Sequence, residues 1–246
     1  MKLAASLAGP DGHLTLLAVT AVKGSGLYEM ADISPARAER LLSRAKRIAQ
    51  EAGVPATAAI DPRGPAEEII LERAGEHELL AIGPPATSWL TGMIVGGVIA
   101  AALSRFTTPM LVVRRPFVGS LRARQILVAS DGEEGSDRVV ELAASLGQSQ
   151  EAHVSLVNAL GAESKINPRA IQAQAKALRR ALPGAGEPHI EPGKAWEVIL
   201  NAAKSKDAAL IVIGSRRLGG VRAFGSVSRR VVHEAPCAVL VVPPVE

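Results

Sequence analysis

Two segments in the second half of the chain carry residues that could bind a phosphate group. One is the dipeptide Ser130-Asp131, which follows a short aliphatic run, and the other starts at Gly214 and ends at Gly225-Ser226. Glycine lets a backbone approach a phosphate closely, and a serine hydroxyl can add a hydrogen bond. If Ser226 opens a helix, the free amides of its first turn and the helix dipole attract an anion. These residues therefore predict an anion-binding loop.

Other kinds of chemistry have less support in the sequence. No Ser/His/Asp set, no pair of carboxylates with supporting context and no lysine in a phosphate loop of the Walker type is present. The five histidines have no spacing suited to a metal site. Cys237 is the only cysteine, so no intramolecular disulfide can form; we interpret it as a small buried residue in a protein of the reducing cytoplasm. We predict a binding protein without a metal and without catalytic residues.

The elements that must position these segments alternate between aliphatic runs and helical patterns. Aliphatic runs without period-two alternation are typical of strands covered on both faces, and their alternation with helices predicts a parallel, doubly wound sheet. The first strand of the second half is predicted at 125–130, followed by a turn and a helix to Gly147 that Ser136 caps. Ligands of such sheets bind beyond the strand ends where the winding reverses, so Asp131 and the segment after Gly214 should meet there.

The chain contains the same unit twice. Corresponding segments are 3–7 and 142–146, 60–62 and 190–192, 79–83 and 210–214, and the last strands near 110–113 and 238–242. The connection at 114–124 holds Pro, Gly and four Arg without clear periodicity. We place the boundary at 118, which gives a first unit of residues 1–118 and a second unit of residues 119–246.

The first unit begins inside the helix that should follow its first strand. That strand and the counterpart of Asp131 are therefore missing from the repeat. We expect either upstream coding sequence that supplies a strand ending near an aspartate, or a half that works without this strand. Pro84 and Pro85 also remove two amide donors from the loop after Gly83. We interpret the first unit as a degenerate partner that does not bind the ligand.

The strand ends and the loop together resemble a known family. The segments that carry the resemblance are 128–131, 211–216, 225–228 and 235–239, and they are similar to a universal stress protein domain. The likeness extends over both units, so the chain resembles a tandem member. It implies two doubly wound α/β domains of the adenine nucleotide alpha hydrolase-like type, the first lacking its first strand, in a cytoplasmic stress-response regulator.

Some members of that family bind ATP through Gly, two residues, Gly, nine residues, and then Gly with Ser or Thr. The resemblance implies that Asp131, Gly214, Gly225 and Ser226 match this site. It also implies that the nucleotide is lined by Ala129, Ser130, Ala159 and Val227. Two departures exist, because Arg217 stands at the second glycine position and seven residues rather than nine separate it from Gly225.

Two functions follow from this pattern. The first is binding of ATP or another adenine nucleotide, with no other cofactor, in the second unit. The alternative is a nucleotide-independent protein interaction module of the same fold, whose crevice is closed by Arg217 and the shortened loop. Slow ATP hydrolysis would be the activity to test, although the sequence favours a protein that is not an enzyme.

Composition and apolar patterning bear on partners. Aromatic residues are 2% of the chain, which argues against nucleic-acid binding by base stacking. The uncharged residues 79–104 are long enough to cross a bilayer, but the repeat divides them into a strand, a loop and a helix, so no membrane span is expected.

The helical pattern at 97–104 is apolar all round, which predicts packing against another domain or a second chain and favours a homodimer. The family resemblance also implies that the last strands of the two units, near 110–113 and 238–242, pair with each other within one chain.

Overall fold

The fold was obtained as a computed structural model, which describes residues 1–20, 34–83, 97–160, 168–215 and 225–244. The first unit has the elements α1 (Lys2–Ala8), β1 (Leu14–Val19), α2 (Pro35–Glu51), β2 (Ala56–Asp61), α3 (Ala66–Ala74), β3 (Leu80–Ile82), α4 (Gly97–Arg105) and β4 (Met110–Val112). The second unit has β5 (Gln125–Ala129), α5 (Asp137–Ser149), β6 (His153–Leu160), α6 (Pro168–Ala181), β7 (His189–Pro192), α7 (Ala195–Ser205), β8 (Ala208–Gly214), α8 (Ser226–Glu234) and β9 (Ala238–Val242). A 3₁₀ turn, Glu134–Ser136, precedes α5.

Seven of the strands form one sheet in the order β3-β4-β9-β8-β5-β6-β7. Every pair in it is parallel except β4 with β9. Within the second unit β5 is central, with β6 and β7 on one side and β8 and β9 on the other. The chain therefore winds outward in one direction and then in the other, and the reversal lies between β5 and β8. The predicted α/β class with two repeats is confirmed.

The two units join through their last strands. β4 and β9 pair antiparallel, with Met110 opposite Val241, Leu111 opposite Leu240 and Val112 opposite Val239. These side chains are at most 2% exposed, because each strand has a neighbour on both edges and helices on both faces. The expected pairing of the last strands of the two units is confirmed.

The two faces of the large sheet carry separate buried clusters. One cluster lies under α7, α8 and α4, and it includes Ile99, Ala102 and Leu103 together with Val231 and Val232 of α8. The predicted packing of the apolar segment at 97–104 against another domain is therefore confirmed within the chain. The homodimer and the domain boundary at 118, which falls between β4 and β5 where the structure has no helix or strand, stay predictions.

The other cluster lies under α5 and α6 and also receives a residue from the start of the chain. Leu3 of α1 is 1% exposed and belongs to this cluster with Leu121 and Leu240. The hydroxyl of Ser6 donates to Gln150 Oε1 at 2.8 Å, and Gln150 Nε2 donates to the Ser6 carbonyl at 3.0 Å. The first helix of the first unit is thus attached to the second unit.

The strands of the first unit are divided between two sheets. β1 and β2 form a separate two-stranded parallel sheet, whereas β3 and β4 extend the sheet of the second unit. In the second unit the corresponding strands β6 and β8 both pair with β5. Among the described strands, none lies between β1 and β3 in the way that β5 lies between β6 and β8.

The apolar segment at 79–104 does not form one long helix in the described residues. β3 and α4 lie at its two ends, and residues 84–96 between them lie outside the described residues, so the two prolines there are not described. Among the helices that the structure describes, none combines the length and apolar character that a membrane crossing requires.

Candidate functional site

The reversal of winding brings the two predicted segments of the second unit to one edge of the sheet. Ala129, the last residue of β5, pairs with Val157 of β6 on one side and with Ile213 of β8 on the other. Because the three strands are parallel, Ser130-Asp131 and Gly214 leave neighbouring strands at the same edge. Ala129 and Ala159 are 7% and 8% exposed there, and their small side chains leave room above the strand ends.

Ser130 is held by the surrounding structure and is 8% exposed. Its backbone N–H donates to the Val157 carbonyl at 3.1 Å, and its hydroxyl donates to Gln174 Oε1. The same hydroxyl accepts from the Gly132 amide at 3.0 Å, and Asn158 Nδ2 donates to the Ser130 carbonyl at 2.8 Å. The side chain of Ser130 thus orders the turn after β5, and its carbonyl fixes an amide of β6.

Gln174 ties α6 to this turn and was missed by reasoning from sequence. Its Nε2 donates to Asp137 Oδ1 at 2.6 Å and to the Glu133 carbonyl at 3.3 Å. Asn158 is also buried, and its Oδ1 has no hydrogen-bond partner among the described residues. The available signal was polarity at positions that should be apolar, because Gln174 lies on the buried stripe of α6 with Ile171 and Leu178.

Asp131 accepts hydrogen bonds from its own turn. Its Oδ1 receives the Glu133 amide at 3.0 Å and the Ser136 hydroxyl at 2.6 Å. Ser136 is the N-cap residue of α5, as predicted, but its side chain makes no cap hydrogen bond. The reason is its helical backbone conformation at the end of a 3₁₀ turn, whereas a capping serine is usually extended.

Gly214 ends β8 where α5 packs closely on the sheet. A Cβ at this position would lie 3.2 Å from Val139 Cγ2, so the glycine relieves a close approach. The next residue, Ser215, donates its amide to the Val242 carbonyl at 2.8 Å and is 5% exposed. Arg217 and the rest of 216–224 lie outside the described residues.

The loop re-enters the described structure at the start of α8. Gly225 is the N-cap residue, Ser226 is the exposed first residue of the helix, and Val227 packs partly buried against the cluster under α7 and α8. The Ser228 hydroxyl donates to the Gly225 carbonyl at 3.2 Å. Since α8 returns the chain from the carboxyl end of β8 to the start of β9, its first-turn amides lie at the same edge as Asp131.

Comparison with known proteins identifies the family. The family model described as "Universal stress protein family" matches residues 1–114 and residues 122–243. The chain belongs to the universal stress protein family. Two matches in one chain make it a tandem, two-domain member.

Individual relatives agree with this assignment. This universal stress protein is 35% identical over 135 residues to "Universal stress protein in QAH/OAS sulfhydrylase 3'region" of Thermus aquaticus, which is 48% of this chain and 98% of that protein. It is 28% identical over 145 residues to universal stress protein YxiE of Bacillus subtilis (strain 168), covering 48% and 97% of the two chains. A solved universal stress protein from Archaeoglobus fulgidus DSM 4304 shares the fold with a TM-score of 0.79 and 21% identity, covering 98% of this chain and 91% of that one.

The first domain of this universal stress protein carries a buried carboxylate that sequence reasoning noted only as part of the repeat. Asp61 ends β2 and is 5% exposed. Arg63 Nη2 donates to Asp61 Oδ2 at 2.7 Å and Arg63 Nε donates to Asp61 Oδ1 at 3.0 Å, while Arg73 Nη2 lies 3.8 Å from Oδ2. The hydrogen bonds from Arg63 lower the pKa of Asp61 to about 2. This pair orders the turn that follows β2.

The Asp61 ion pair predicts an acid-dependent loss of stability. Its folded pKa lies below the ordinary value of 3.8, so the ionised carboxylate stabilises the fold fully above about pH 4 and loses this contribution as the pH falls toward 2. Melting temperatures of the wild type and of Asp61→Asn should differ most near pH 6, and the difference should shrink between pH 4 and pH 2. A constant difference across this range would show that the carboxylate charge is not the cause.

The thiol of Cys237 and the possible metal-ligating side chains give no sign of a second catalytic or metal site in the described residues. Cys237 is partly buried, and this burial raises the pKa of its thiol to about 12, which keeps it protonated at neutral pH. In the described ranges, no group of three or more His, Cys, Asp or Glu side chains could hold a metal ion.

Proposed function

We propose that this tandem universal stress protein is a stress-response regulator whose second domain binds an adenine nucleotide. The observation that carries the proposal is the position of Asp131 and Gly214 at the carboxyl ends of β5 and β8, the two strands between which the winding reverses. Ligands of doubly wound sheets bind at this point because the connections diverge there and leave a crevice. The nucleotide phosphates would face the first turn of α8, with Ser226 as an additional donor.

The remaining predicted residues have separate parts in this proposal. Asp131 supplies a carboxylate to the wall of the crevice, while its Oδ1 keeps the turn in place. Ala129 and Ala159 form an apolar floor at the strand ends, and Val227 borders it from α8. Arg217 could hold phosphate oxygens in a bidentate manner. The binding chemistry requires no catalytic residue, so we propose a sensor and not an enzyme.

Replacing Gly225 with valine is expected to weaken nucleotide binding about tenfold or more. A branched side chain at the N-cap keeps a phosphate away from the first-turn amides, and each lost charge-assisted hydrogen bond is worth about 1.5–3 kcal/mol. The fold should tolerate the change, because among the described residues a Cβ at Gly225 would meet only the Ser228 hydroxyl, at 3.4 Å. Calorimetric titration with ATP measures the effect. Gly184→Val is the matched control, since Gly184 has nothing within 4 Å of its Cβ position.

The role of Asp131 in nucleotide binding can be separated experimentally from its role in ordering the turn after β5. Asp131→Ala removes the carboxylate together with the hydrogen bonds from the Glu133 amide and the Ser136 hydroxyl, whereas Ser136→Ala removes only the bond from the hydroxyl. The proposal expects weaker ATP binding in the first variant and nearly unchanged binding in the second. Equal losses in both would assign the effect to the turn alone.

The alternative function has one observation in its favour. The side chains of Ser130 and Asp131 already have hydrogen-bond partners within the domain. This is expected if the two side chains stabilise the turn after β5 and the crevice does not bind a ligand. If the wild type and Arg217→Ala both give no saturable heat with millimolar ATP, the nucleotide part of the proposal is wrong. If Arg217→Ala alone binds ATP, this arginine closes the crevice and the chain acts as a nucleotide-independent interaction module.

A further inference from the structure

A cavity of about 440 Å³ opens at the amino ends of β5, β8 and β9, the edge of the large sheet opposite the nucleotide crevice. Small side chains at the starts of β8 and β9 form its floor, among them Ala208, Ala209 and Ala238, each at most 6% exposed. β8 runs from Ala208 at the cavity to Gly214 at the crevice, and seven residues of strand at about 3.3 Å each separate the two places by about 20 Å. The cavity is therefore distinct from the proposed nucleotide site.

The connection between the two domains forms one wall of this cavity. β4 ends at the same edge because it is antiparallel to β9, and Val113, Pro116 and Phe117 of the connection line the cavity. Phe117 is partly buried and packs against the cluster that contains Leu121, which holds the connection in place. Clefts of this volume with a mainly apolar lining, located where two domains meet, are typical binding sites for small molecules.

Positive charge exceeds negative charge among the described residues that line the cavity. These residues include the cations of Arg115, Arg124 and Lys204 and a single carboxylate, that of Asp207. In the part of the chain that the structure describes, none of the three cations lies within ion-pair distance of a carboxylate. Arg124 is half-buried, and its Cζ lies 5.9 Å from the ring centroid of Phe117, a contact that orients the guanidinium. The lining thus attracts anions.

The thiol of Cys237 lies in the same cavity and senses its charges. Burial is the main cause that raises the pKa of Cys237 to about 12, and the charges of Arg124 and Asp207 also act on it, in opposite directions. Both charged groups are therefore close to the thiol. Because Cys237 is the only cysteine of the chain, its reactivity reports on this cavity alone.

We propose that this cavity binds a small organic anion, with one acidic group on an aliphatic or aromatic body. The apolar body would lie on the alanine floor and against Pro116 and Phe117. The acidic group would accept paired hydrogen bonds from the guanidinium of Arg124, and the charges of Arg115 and Lys204 would add to the attraction. This ligand class differs from the adenine nucleotide proposed for the crevice, and its binding does not require that nucleotide.

Fluorescence titration of the full chain with anilinonaphthalene sulfonate tests the ligand class. The sulfonate should bind saturably with one molecule per chain. Phenylnaphthylamine, which has the same aromatic body without the acidic group, should bind at least about tenfold more weakly, because it lacks the charge-assisted hydrogen bonds. Millimolar ATP should leave the affinity for the sulfonate unchanged, whether or not the crevice binds ATP. Displacement by ATP, equal binding of the two probes, or no saturable binding would overturn the proposal.

Two pairs of variants locate the bound sulfonate. Arg124→Gln and Lys204→Gln should each weaken its binding, the first by about tenfold through the lost hydrogen bonds of the guanidinium. Arg122→Gln and Lys206→Gln are the matched controls, since both residues are exposed and neither lines the cavity; Arg122 pairs instead with Glu151 at 2.8 Å. The controls should bind like the wild type. Equal losses within each pair, or no loss in Arg124→Gln, contradict the assigned cavity.

Alkylation of Cys237 by iodoacetamide at mildly alkaline pH tests the location in the unmodified chain, where no variant has to fold. Anilinonaphthalene sulfonate at ten times its Kd should slow the reaction about tenfold, because only about a tenth of the cavities stay free. Octanoate should also slow it, whereas octanol at the same concentration should not. An unchanged rate with saturating sulfonate would place the probe elsewhere, and equal protection by octanoate and octanol would show that the cavity does not select anions. Either result contradicts the proposal.

Discussion

Replacing Leu111 with alanine is expected to lower the free energy of unfolding by about 2–5 kcal/mol. Leu111 is 0% exposed and lies opposite Leu240 at the antiparallel joint between the two domains. It also belongs to the cluster that contains Leu3 and Leu121. Truncation removes apolar contacts on both sides of the joint and leaves a cavity that the paired strands cannot easily close, so the cost should be at the upper part of the range for a buried leucine.

Urea denaturation followed by circular dichroism measures this change. Val118→Ala is the control, since Val118 is 74% exposed and its truncation should change stability by less than about 0.5 kcal/mol. Because β3 and β4 belong to the sheet of the second domain, Leu111→Ala should shift the main unfolding transition. A shift confined to a minor, separate transition would mean that β4 does not contribute to the core of the second domain.

Gly147→Ala is expected to destabilise the protein by about 1–3 kcal/mol, although alanine is the better helix former. A Cβ at Gly147 would lie 2.4 Å from Val154 Cγ2 and 2.7 Å from Leu182 Cδ2. Val154 is 0% exposed in β6 and its branched side chain has few alternative rotamers. The steric cost of displacing α5 from the sheet therefore exceeds the gain of up to about 1 kcal/mol in helix propensity.

The matched control is Gly135→Ala. Gly135 has none of the described residues within 4 Å of its Cβ position and precedes α5 on the surface. Its replacement should be neutral or slightly stabilising, because alanine reduces the entropy of the unfolded chain. Thermal melts of both variants at neutral pH test the pair. Stabilisation by Gly147→Ala would show that α5 sits further from β6 than the structure places it.

The order of the elements and their repetition could be read from the sequence. The strand predicted at 125–130 corresponds to β5, and the segments predicted as the last strands of the two units are β4 and β9, paired as expected. Burial of a helix stripe or of a strand imposes a local pattern of apolar residues, and a duplicated unit imposes it twice. Such information can be read without knowing which elements are neighbours.

The partners of strand edges and of buried polar groups could not be read from the sequence and became visible in the fold. The local pattern of β1 is that of an ordinary buried strand, yet β1 lies with β2 in a separate two-stranded sheet, because strand pairing depends on which segments become neighbours in the fold. Ser136 has the residue type of a helix cap, but its hydroxyl donates to Asp131, and Gln174 is recruited from α6 to Ser130. A hydrogen bond depends on the distance and direction between two groups, and the packing of remote segments sets both.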